Sequence, residues 1–253
     1  MNFPQPLYDA VQNHSYPLLF ATVSGAHLYG FPSPDSDWDL RGVHVLPARE
    51  VLGLALPRET IDSDQIVDGL ELDLVTHDVR KFMGLMLKPN GYVLEQLHSP
   101  LVVYTTPEHA ELRELGLRCV TRYHAHHYLG FSAGQWKLLN RDDPPRVKPL
   151  LYTFRTLLTG LHLMRTGEIE ANLAVLNTEA RLDYLDDLMA QKIAGREKET
   201  LTGDLGFYEA EFRRLTGELE QAMEVTTLPA KVELSVEEEL SGLLVRLRMR
   251  NQG

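Results

Sequence analysis

The N-terminal part of the chain alternates between short apolar runs and polar turns. The run YPLLFATVS is compact and apolar, and DWDLRGVHVLP alternates polar and apolar positions, so both predict β-strands. Two further strands are predicted on either side of Asp68-Gly69, a dipeptide that favours a tight hairpin turn. Apolar residues at helical spacing predict short helices in PLYDAVQNH, DVRKFMGLMLK and YVLEQLHSP. This pattern is typical of a mixed α/β domain.

The pattern becomes helical from Pro107 onward. The segment VKPLLYTFRTLLTGLHLMRTG predicts an amphipathic helix that ends at Gly167, and the prolines of RDDPPR separate it from the helical pattern before it. Three more helical patterns follow, in ARLDYLDDLMAQK, DLGFYEAEFRRLTGELEQAMEV and SVEEELSGLLVRLRMR. We therefore predict an α/β + α protein, with an α/β domain over residues 1–110 and a helical bundle domain over residues 111–253.

Composition limits the classes of function. The chain of 253 residues has a formal net charge of −11, which argues against a protein that coats nucleic acid through a basic face. This negative charge does not exclude an enzyme that binds one nucleotide or one nucleic-acid end at a local site. The single cysteine, Cys119, excludes an internal disulfide and favours a cytoplasmic location. No apolar stretch approaches the ~18 residues of a transmembrane helix, and we expect no signal peptide and no membrane contact.

Three acids at alternating positions end the stretch SGAHLYGFPSPDSDWDL. In a strand, Asp37 and Asp39 point the same way, with side-chain roots ~7 Å apart. Carboxylates held this close favour a hard cation between them, and two Mg²⁺ or Mn²⁺ ions ~4 Å apart can promote phosphoryl displacement. That chemistry requires a third carboxylate from a neighbouring strand. Asp73 is the best candidate, since its strand directs leucines to the core, and Glu71 is the alternative.

Other readings of the same acids are weaker. Most D-x-D pairs at strand starts are solvated turn acids. An EF-hand would need Gly and Glu where Leu40 and Leu46 stand, so we reject it. The loop before the acids fits phosphate chemistry instead, because Gly25 permits a tight turn with exposed backbone N–H groups and Ser36 offers a hydroxyl. Arg41 follows closely enough to pair with one of the acids.

The stretch SGAHLYGFPSPDSDWDLRGVHV resembles the nucleotidyltransferase signature of the DNA polymerase β superfamily. Gly25-Ala26 is followed by ten residues and then by Asp37-Trp38-Asp39. Within the superfamily, the chain resembles the bacterial YcgL/RlaP-like predicted nucleotidyltransferases, whose LYG, SD and LRG residues fall in register. DLVTHDVRKFMGLMLKPNGYVLEQLHSP resembles the segment that carries the third carboxylate, which supports Asp73. The resemblance covers about residues 17–170.

This resemblance implies a fold and an activity. It implies a polymerase-β-like palm, a small mixed sheet with flanking helices, in residues 1–110, and a helical domain in residues 111–253 that completes the nucleotide cleft. The implied enzyme is a metal-dependent nucleotidyltransferase. It would transfer a nucleoside monophosphate from an NTP to a hydroxyl or phosphate acceptor and release pyrophosphate. Asp37, Asp39 and Asp73 would be its catalytic metal ligands for two Mg²⁺ or Mn²⁺ ions. The acceptor stays open among an RNA end, a tRNA, a small molecule and a protein side chain.

The resemblance also implies nucleotide-binding residues in both halves. Lys148, Tyr152 and Arg155 share one helix face, where a cation can neutralise phosphates and an aromatic ring can stack on a base. The alternative reading is a surface lysine beside a packed tyrosine. Ala26 stands where the family usually has serine, so one hydroxyl is missing. The predicted nucleotide-binding residues are Gly25, Ala26, His27, Ser36, Lys137, Lys148 and Tyr152.

Two rival functions remain at this point. A non-catalytic nucleotide-binding or antitoxin-like module could retain the palm, and the alanine at position 26 favours this reading slightly. A metal-dependent phosphohydrolase could use the same acids without an acceptor. The three acids together favour a transferase more strongly. The preferred NTP and the oligomeric state are not predicted.

Overall fold

The computed structural model describes residues 2–55, 57–195 and 199–250. The strands in these residues are β1 (Leu18–Val23), β2 (Trp38–His44), β3 (Thr60–Val67), β4 (Leu70–Asp78) and β5 (Val102–Thr105). The helices are α1 (Gln5–Gln12), α2 (Gly25–Tyr29), α3 (Ala48–Val51), α4 (Val79–Met86), α5 (Gly91–His98), α6 (Pro107–Arg118), α7 (His124–Leu139), α8 (Val147–Thr166), α9 (Leu173–Ala180), α10 (Asp183–Ala194), α11 (Leu205–Val225) and α12 (Leu234–Arg250). The prediction of a mixed sheet together with many helices is confirmed.

The five strands form one sheet in the order β3-β4-β2-β1-β5. β2 and β4 run parallel, and the other neighbouring pairs run antiparallel. The predicted hairpin turn joins β3 to β4, with Asp68 and Gly69 at φ 53° and 80°. Positive φ at both turn residues matches the twist of the strands. The turn therefore fixes which residues of β3 face which residues of β4.

Each face of the sheet carries its own apolar core. One core joins residues of β1 and β2, such as Phe20 and Val43, to apolar residues of α4, α5, α6 and α12. The other core includes Leu7 of α1 together with Leu40, Leu72 and Leu74. The sheet is thus covered on both sides.

The C-terminal helix α12 packs with the sheet unit. Val236, Leu240, Leu243 and Leu247 are buried in the same core as β1 and β2. Arg248 pairs with the buried carboxylate of Asp78 at 2.6 Å, and Asp78 in turn caps α4 by accepting from the backbone N–H of Arg80. The sequence pattern had grouped this helix with the helical bundle.

The chain forms two compact units. One comprises residues 1–25, 37–119 and 231–253, and the other comprises residues 26–36 and 120–230. The predicted boundary between an α/β domain and a helical domain, between residues 110 and 111, stays a prediction.

Helix α8 of the second unit packs closely against its neighbours at Gly160. A Cβ at this position would lie 2.8 Å from Leu219 and 2.9 Å from Tyr128. Gly167 ends α8 at φ 77°, as predicted. The pattern did not predict α9.

Among the described residues, no helix combines the length and the apolar character that crossing a membrane requires.

Candidate nucleotidyl-transfer site

Three carboxylates lie in one row across three strands of the sheet. Asp39 of β2 is the register partner of Asp73 in β4, and Asp73 is the register partner of Asp64 in β3. Residues that face each other across a ladder point to the same side of the sheet. The predicted acids Asp39 and Asp73 are therefore brought together, with Asp64 beside them.

Arg41 binds two of these acids at once. Its Nη2 atom donates to Asp39 Oδ1 and to Asp73 Oδ2, at 2.7 Å in each case. Its Nη1 atom donates to the backbone oxygen of Asp73 at 2.7 Å, and its Nε atom donates to the Tyr92 hydroxyl at 3.0 Å. The expected pairing of Arg41 with one acid thus extends to two. The guanidinium supplies the positive charge that two facing carboxylates need.

The surroundings of Arg41 keep it charged. Burial by itself lowers the pKa of Arg41, but Tyr92, Asp39 and Asp73 outweigh burial and raise the pKa above its ordinary value. The arginine side chain is 10% exposed, against 29% for Asp39 and 36% for Asp73. A buried cation with several fixed acceptors holds its geometry well. The carboxylates of Asp39 and Asp73 are therefore oriented by a rigid partner.

Gly25 lets the carboxylate of Asp39 approach the backbone. A Cβ at this position would lie 1.9 Å from Asp39 Oδ2, which is far inside van der Waals contact. Gly25 also has φ 61°, in the left-handed region that favours glycine. The neighbouring Ser24 N–H donates to the backbone oxygen of Asp39 at 2.8 Å. The glycine that the motif predicts is thus required both by conformation and by contact.

Asp37 occupies a different position from Asp39. It is exposed and comes directly before β2, which begins at Trp38. It lines a surface depression of about 520 Å³ together with Asp64, Glu71 and Asp73. Glu71 and Asp73 both line this depression, so the choice between them as third ligand stays a prediction. Asp35 is exposed in the turn, where the sequence placed an acid with no metal role.

The carboxylate oxygens of these acids are of the type that binds divalent cations. Carboxylate oxygens are the ligands that Mg²⁺ and Mn²⁺ prefer. Within the described residues, no three His, Cys, Asp or Glu side chains are arranged to hold a metal ion as they stand. Asp39 and Asp73 each direct one oxygen to Arg41 instead. The acids therefore fit the predicted ions by their chemistry and their place in the fold, and the role of Asp37, Asp39 and Asp73 as metal ligands stays a prediction.

The predicted phosphate-side residues from position 26 onward belong to the second unit. Ala26 is buried, at 6% exposure. Burial lowers the pKa of His27, and a hydrogen bond to the backbone of Ser36 opposes that shift. Ser36 Oγ accepts from the backbone N–H of Ser33 at 2.9 Å. His27 and Ser36 are thus brought together.

The predicted nucleotide-binding residues of α8, Lys148 and Tyr152, also belong to the second unit. The Lys148 Nζ atom lies 5.7 Å from the centre of the Tyr152 ring, whose edge packs against Tyr29. The guanidinium carbon of Arg155 lies 3.9 Å from the centre of the Tyr29 ring. Tyr152 therefore packs against the segment that carries His27. Lys137 is exposed near the end of α7, and its phosphate role stays a prediction.

Sequence reasoning missed two side chains of the site, Asp64 and Tyr92. A signal for Asp64 was present, because a two-residue hairpin at Asp68-Gly69 pairs Val67 with Leu70 and therefore Asp64 with Asp73. Tyr92 had no such signal, since only the packing of α5 brings its hydroxyl to Arg41.

Several known proteins are similar to parts of this chain. The model of the RlaP family, described as the RNA repair pathway DNA polymerase beta family, matches residues 4–246. The uncharacterized protein MJ0002 of Methanocaldococcus jannaschii is 28% identical over 156 residues, which span 61% of this chain and 63% of that protein. The uncharacterized protein YcgL of Bacillus subtilis is 28% identical over 195 residues, 75% of this chain and 70% of that protein. A crystal structure of a nucleotidyltransferase-like protein from Exiguobacterium sibiricum is 12% identical, with a TM-score of 0.33, and the match covers 87% of this chain and 73% of that one.

Proposed function

The chain belongs to the RlaP family, the RNA repair pathway DNA polymerase beta family, and we propose that it transfers a nucleoside monophosphate from an NTP to an acceptor with release of pyrophosphate. The observation that carries this proposal is the pairing of Asp39 with Asp73 on adjacent parallel strands, where one arginine binds both carboxylates. Two oriented carboxylates suit the binding of divalent cations, and the backbone N–H groups of the neighbouring glycine turn suit phosphate oxygens.

Specific residues take specific roles in this proposal. Asp37, Asp39 and Asp73 would hold two divalent cations, Mg²⁺ or Mn²⁺. Bound cations of this kind neutralise phosphate charge and lower the pKa of an attacking hydroxyl. Arg41 orients the carboxylates of Asp39 and Asp73 before substrate binds. Catalysis would rest on positioning and electrostatics, since the acids need no covalent step.

Several further residues are proposed to bind the nucleotide. Gly25 and Ala26 offer backbone N–H groups, and His27 and Ser36 offer polar side chains for the phosphates. Lys148 and Lys137 are the proposed cationic contacts, and Tyr152 is the proposed contact to base or sugar. The proposed acceptor is an RNA end, which the description of the family favours.

Labelled nucleotides test this function. The protein is incubated with each NTP labelled on the α-phosphate, with Mg²⁺ or Mn²⁺, and with separate RNA and protein fractions. We expect label to enter the RNA fraction and pyrophosphate to appear. Asp37→Ala and Asp39→Ala should each lower pyrophosphate release by about 100-fold or more while the melting temperature stays near that of the wild type. Asp35→Asn is the matched control and should retain activity.

The outcomes separate the rival functions. Unchanged turnover in both aspartate variants would refute the transferase. Release of NMP with no labelled acceptor would indicate a phosphohydrolase. A second candidate is a nucleotide-binding or antitoxin-like module without catalysis, which the missing hydroxyl at Ala26 favours. Tight NTP binding with no labelled product in any fraction would support it.

A further inference from the structure

Lys192 is a fully buried lysine that contacts the predicted nucleotide loop. Its side chain is 0% exposed, and its Nζ atom donates to Ser33 Oγ at 2.6 Å. Ser33 is itself buried, at 5% exposure. A lysine without exposed surface is rare and requires polar partners that repay its desolvation. The hydroxyl of Ser33 is one such polar partner for the buried ammonium group of Lys192.

Ser33 in turn forms hydrogen bonds with Ser36. The two hydroxyl oxygens lie 3.0 Å apart, and the Ser33 backbone N–H donates to Ser36 Oγ at 2.9 Å. The Ser36 backbone N–H donates back to the Ser33 oxygen at 3.0 Å. A third contact joins His27 to the Ser36 backbone. Ser36 is half-buried and directly precedes Asp37.

The chemistry of the donors fixes the direction of the first hydrogen bond in this chain, from Lys192 to Ser33. An ammonium group has three donors and no acceptor, so Ser33 Oγ must accept from Lys192. Ser33 Oγ keeps a second acceptor site, so either hydroxyl can donate in its 3.0 Å contact with Ser36 Oγ. When Ser33 donates, Ser36 Oγ accepts from both the N–H and the O–H of Ser33, which fills its acceptor sites. The Ser36 proton is then left to donate to a ligand.

We propose that Lys192 and Ser33 are positioning residues that orient the Ser36 hydroxyl as a donor to a phosphate oxygen of the bound nucleotide. This inference rests on the proposed function. It matters because Gly25 and Ala26 offer only backbone N–H groups, so an oriented hydroxyl from Ser36 adds a side-chain donor to the loop. A phosphate oxygen can only accept, so a bound nucleotide favours the arrangement in which Ser33 donates to Ser36 and Ser36 donates to the phosphate.

A double-mutant cycle tests the direction of this relay. The affinity for each NTP with Mg²⁺ is measured by calorimetry for the wild type, Ser36→Ala, Ser33→Ala and the double variant. Loss of one hydrogen bond to a charged oxygen should weaken binding about 10-fold in Ser36→Ala. Ser33→Ala should weaken binding about 3- to 10-fold, because only the backbone N–H of residue 33 then orients the Ser36 hydroxyl. The double variant should bind as Ser36→Ala does, since Ser33 acts through Ser36.

Further variants keep the test decisive. Lys192→Met preserves shape but removes the ammonium, and it should weaken binding as Ser33→Ala does. Ser36→Thr keeps a hydroxyl and should restore most of the affinity. If Ser33→Ala does not fold, as judged by its melting transition, Ser33→Cys replaces it with a weaker donor of similar size. Ser241→Ala, at an exposed serine of α12, is the matched control and should bind as the wild type.

Each outcome has one meaning. Additive losses in the double variant would show that Ser33 acts independently of Ser36 and would overturn the relay, while the proposed function would stand. Equal affinity in Ser36→Ala and the wild type would also overturn it. If the wild type binds no NTP, the proposed function fails, and the relay fails with it for want of a ligand.

Discussion

Arg41 shows how one residue can organise a site made mainly of like charges. Asp39 and Asp73 face each other across β2 and β4, and both would be destabilised without a cation between them. The Nη2 atom of Arg41 forms ion pairs with both carboxylates, and the Tyr92 hydroxyl accepts a hydrogen bond from its Nε atom. An arginine can do this because its planar group presents several donors in fixed directions.

We predict that Arg41→Met lowers the free energy of unfolding by about 2 kcal/mol, because two facing carboxylates lose their shared partner. Added Mg²⁺ should restore more stability to this variant than to the wild type. Urea denaturation with and without Mg²⁺ measures both effects. Arg58→Met is the matched control, since Arg58 pairs with Asp62 at 3.4 Å and is 83% exposed, and it should change little. Equal losses in the two variants would contradict the prediction.

Gly25→Ala should destabilise the protein by about 1–3 kcal/mol, because the new methyl group would overlap Asp39 Oδ2 and the backbone has positive φ. The matched control is Gly84→Ala in α4, where a Cβ meets nothing within 4 Å. That change should be neutral or stabilise by up to about 1 kcal/mol. Urea denaturation of both variants measures the difference, and a Gly25→Ala protein as stable as Gly84→Ala would refute the close approach.

At the scale of elements, two features place the site. The two-residue hairpin fixes the register of β3 against β4, and the parallel pairing of β4 with β2 then sets Asp73 beside Asp39. Helix α12 covers the sheet from the far end of the sequence. It also forms ion pairs with α6, including Arg118 with Glu239 at 2.7 Å. The position of the acids thus depends on strand register, and the sheet beneath them depends on a distant helix.

Leu243→Ala should cost about 2–5 kcal/mol of unfolding free energy, because Leu243 is 1% exposed in the core that α12 shares with the sheet. Val245→Ala on the same helix is the matched control. Val245 is 59% exposed, so its loss should fall within about 0.5 kcal/mol. Chemical denaturation compares the two, and similar losses would show that α12 does not pack on the sheet.

At the scale of the whole molecule, buried histidines link stability to pH. Burial lowers the pKa of His44, His98 and His124 from 6.5 to about 4 in each case. His44 is 0% exposed and bonds to the Thr76 hydroxyl at 2.9 Å. The folded protein therefore keeps these rings neutral at a pH where the unfolded chain protonates them.

We predict that the contribution of these histidines to stability is constant above about pH 7 and falls as the pH drops from about 6.5 towards 4. The folded pKa lies below the unfolded value, so the unfolded state binds more protons throughout this window. Each such histidine contributes a slope of up to about 1.4 kcal/mol per pH unit. Urea denaturation at pH 7, 6 and 5 measures the slope, which should be smaller in His44→Gln. An unchanged slope in that variant would exclude His44 as a source.

Signals along the chain predict most of the local elements and the chemistry of the loop. Apolar periodicity marked β1, β2 and α8, and Asp68-Gly69 marked the hairpin, because these signals depend on neighbours along the chain. The resemblance to the DNA polymerase β superfamily and its YcgL/RlaP-like group is confirmed by the family match. The roles of Asp37, Asp39 and Asp73, and of the nucleotide-binding residues, remain predictions.

Contacts between side chains far apart in sequence depend on the tertiary fold. No local pattern could show that Arg41 joins Asp39 to Asp73, or that Lys192 reaches Ser33 across 159 positions of sequence. The periodicity of α12 marks a helix but does not tell which core its apolar face covers. Side-chain contacts of this kind arise from packing between elements, and packing is set by the whole fold rather than by the spacing of residues within one segment.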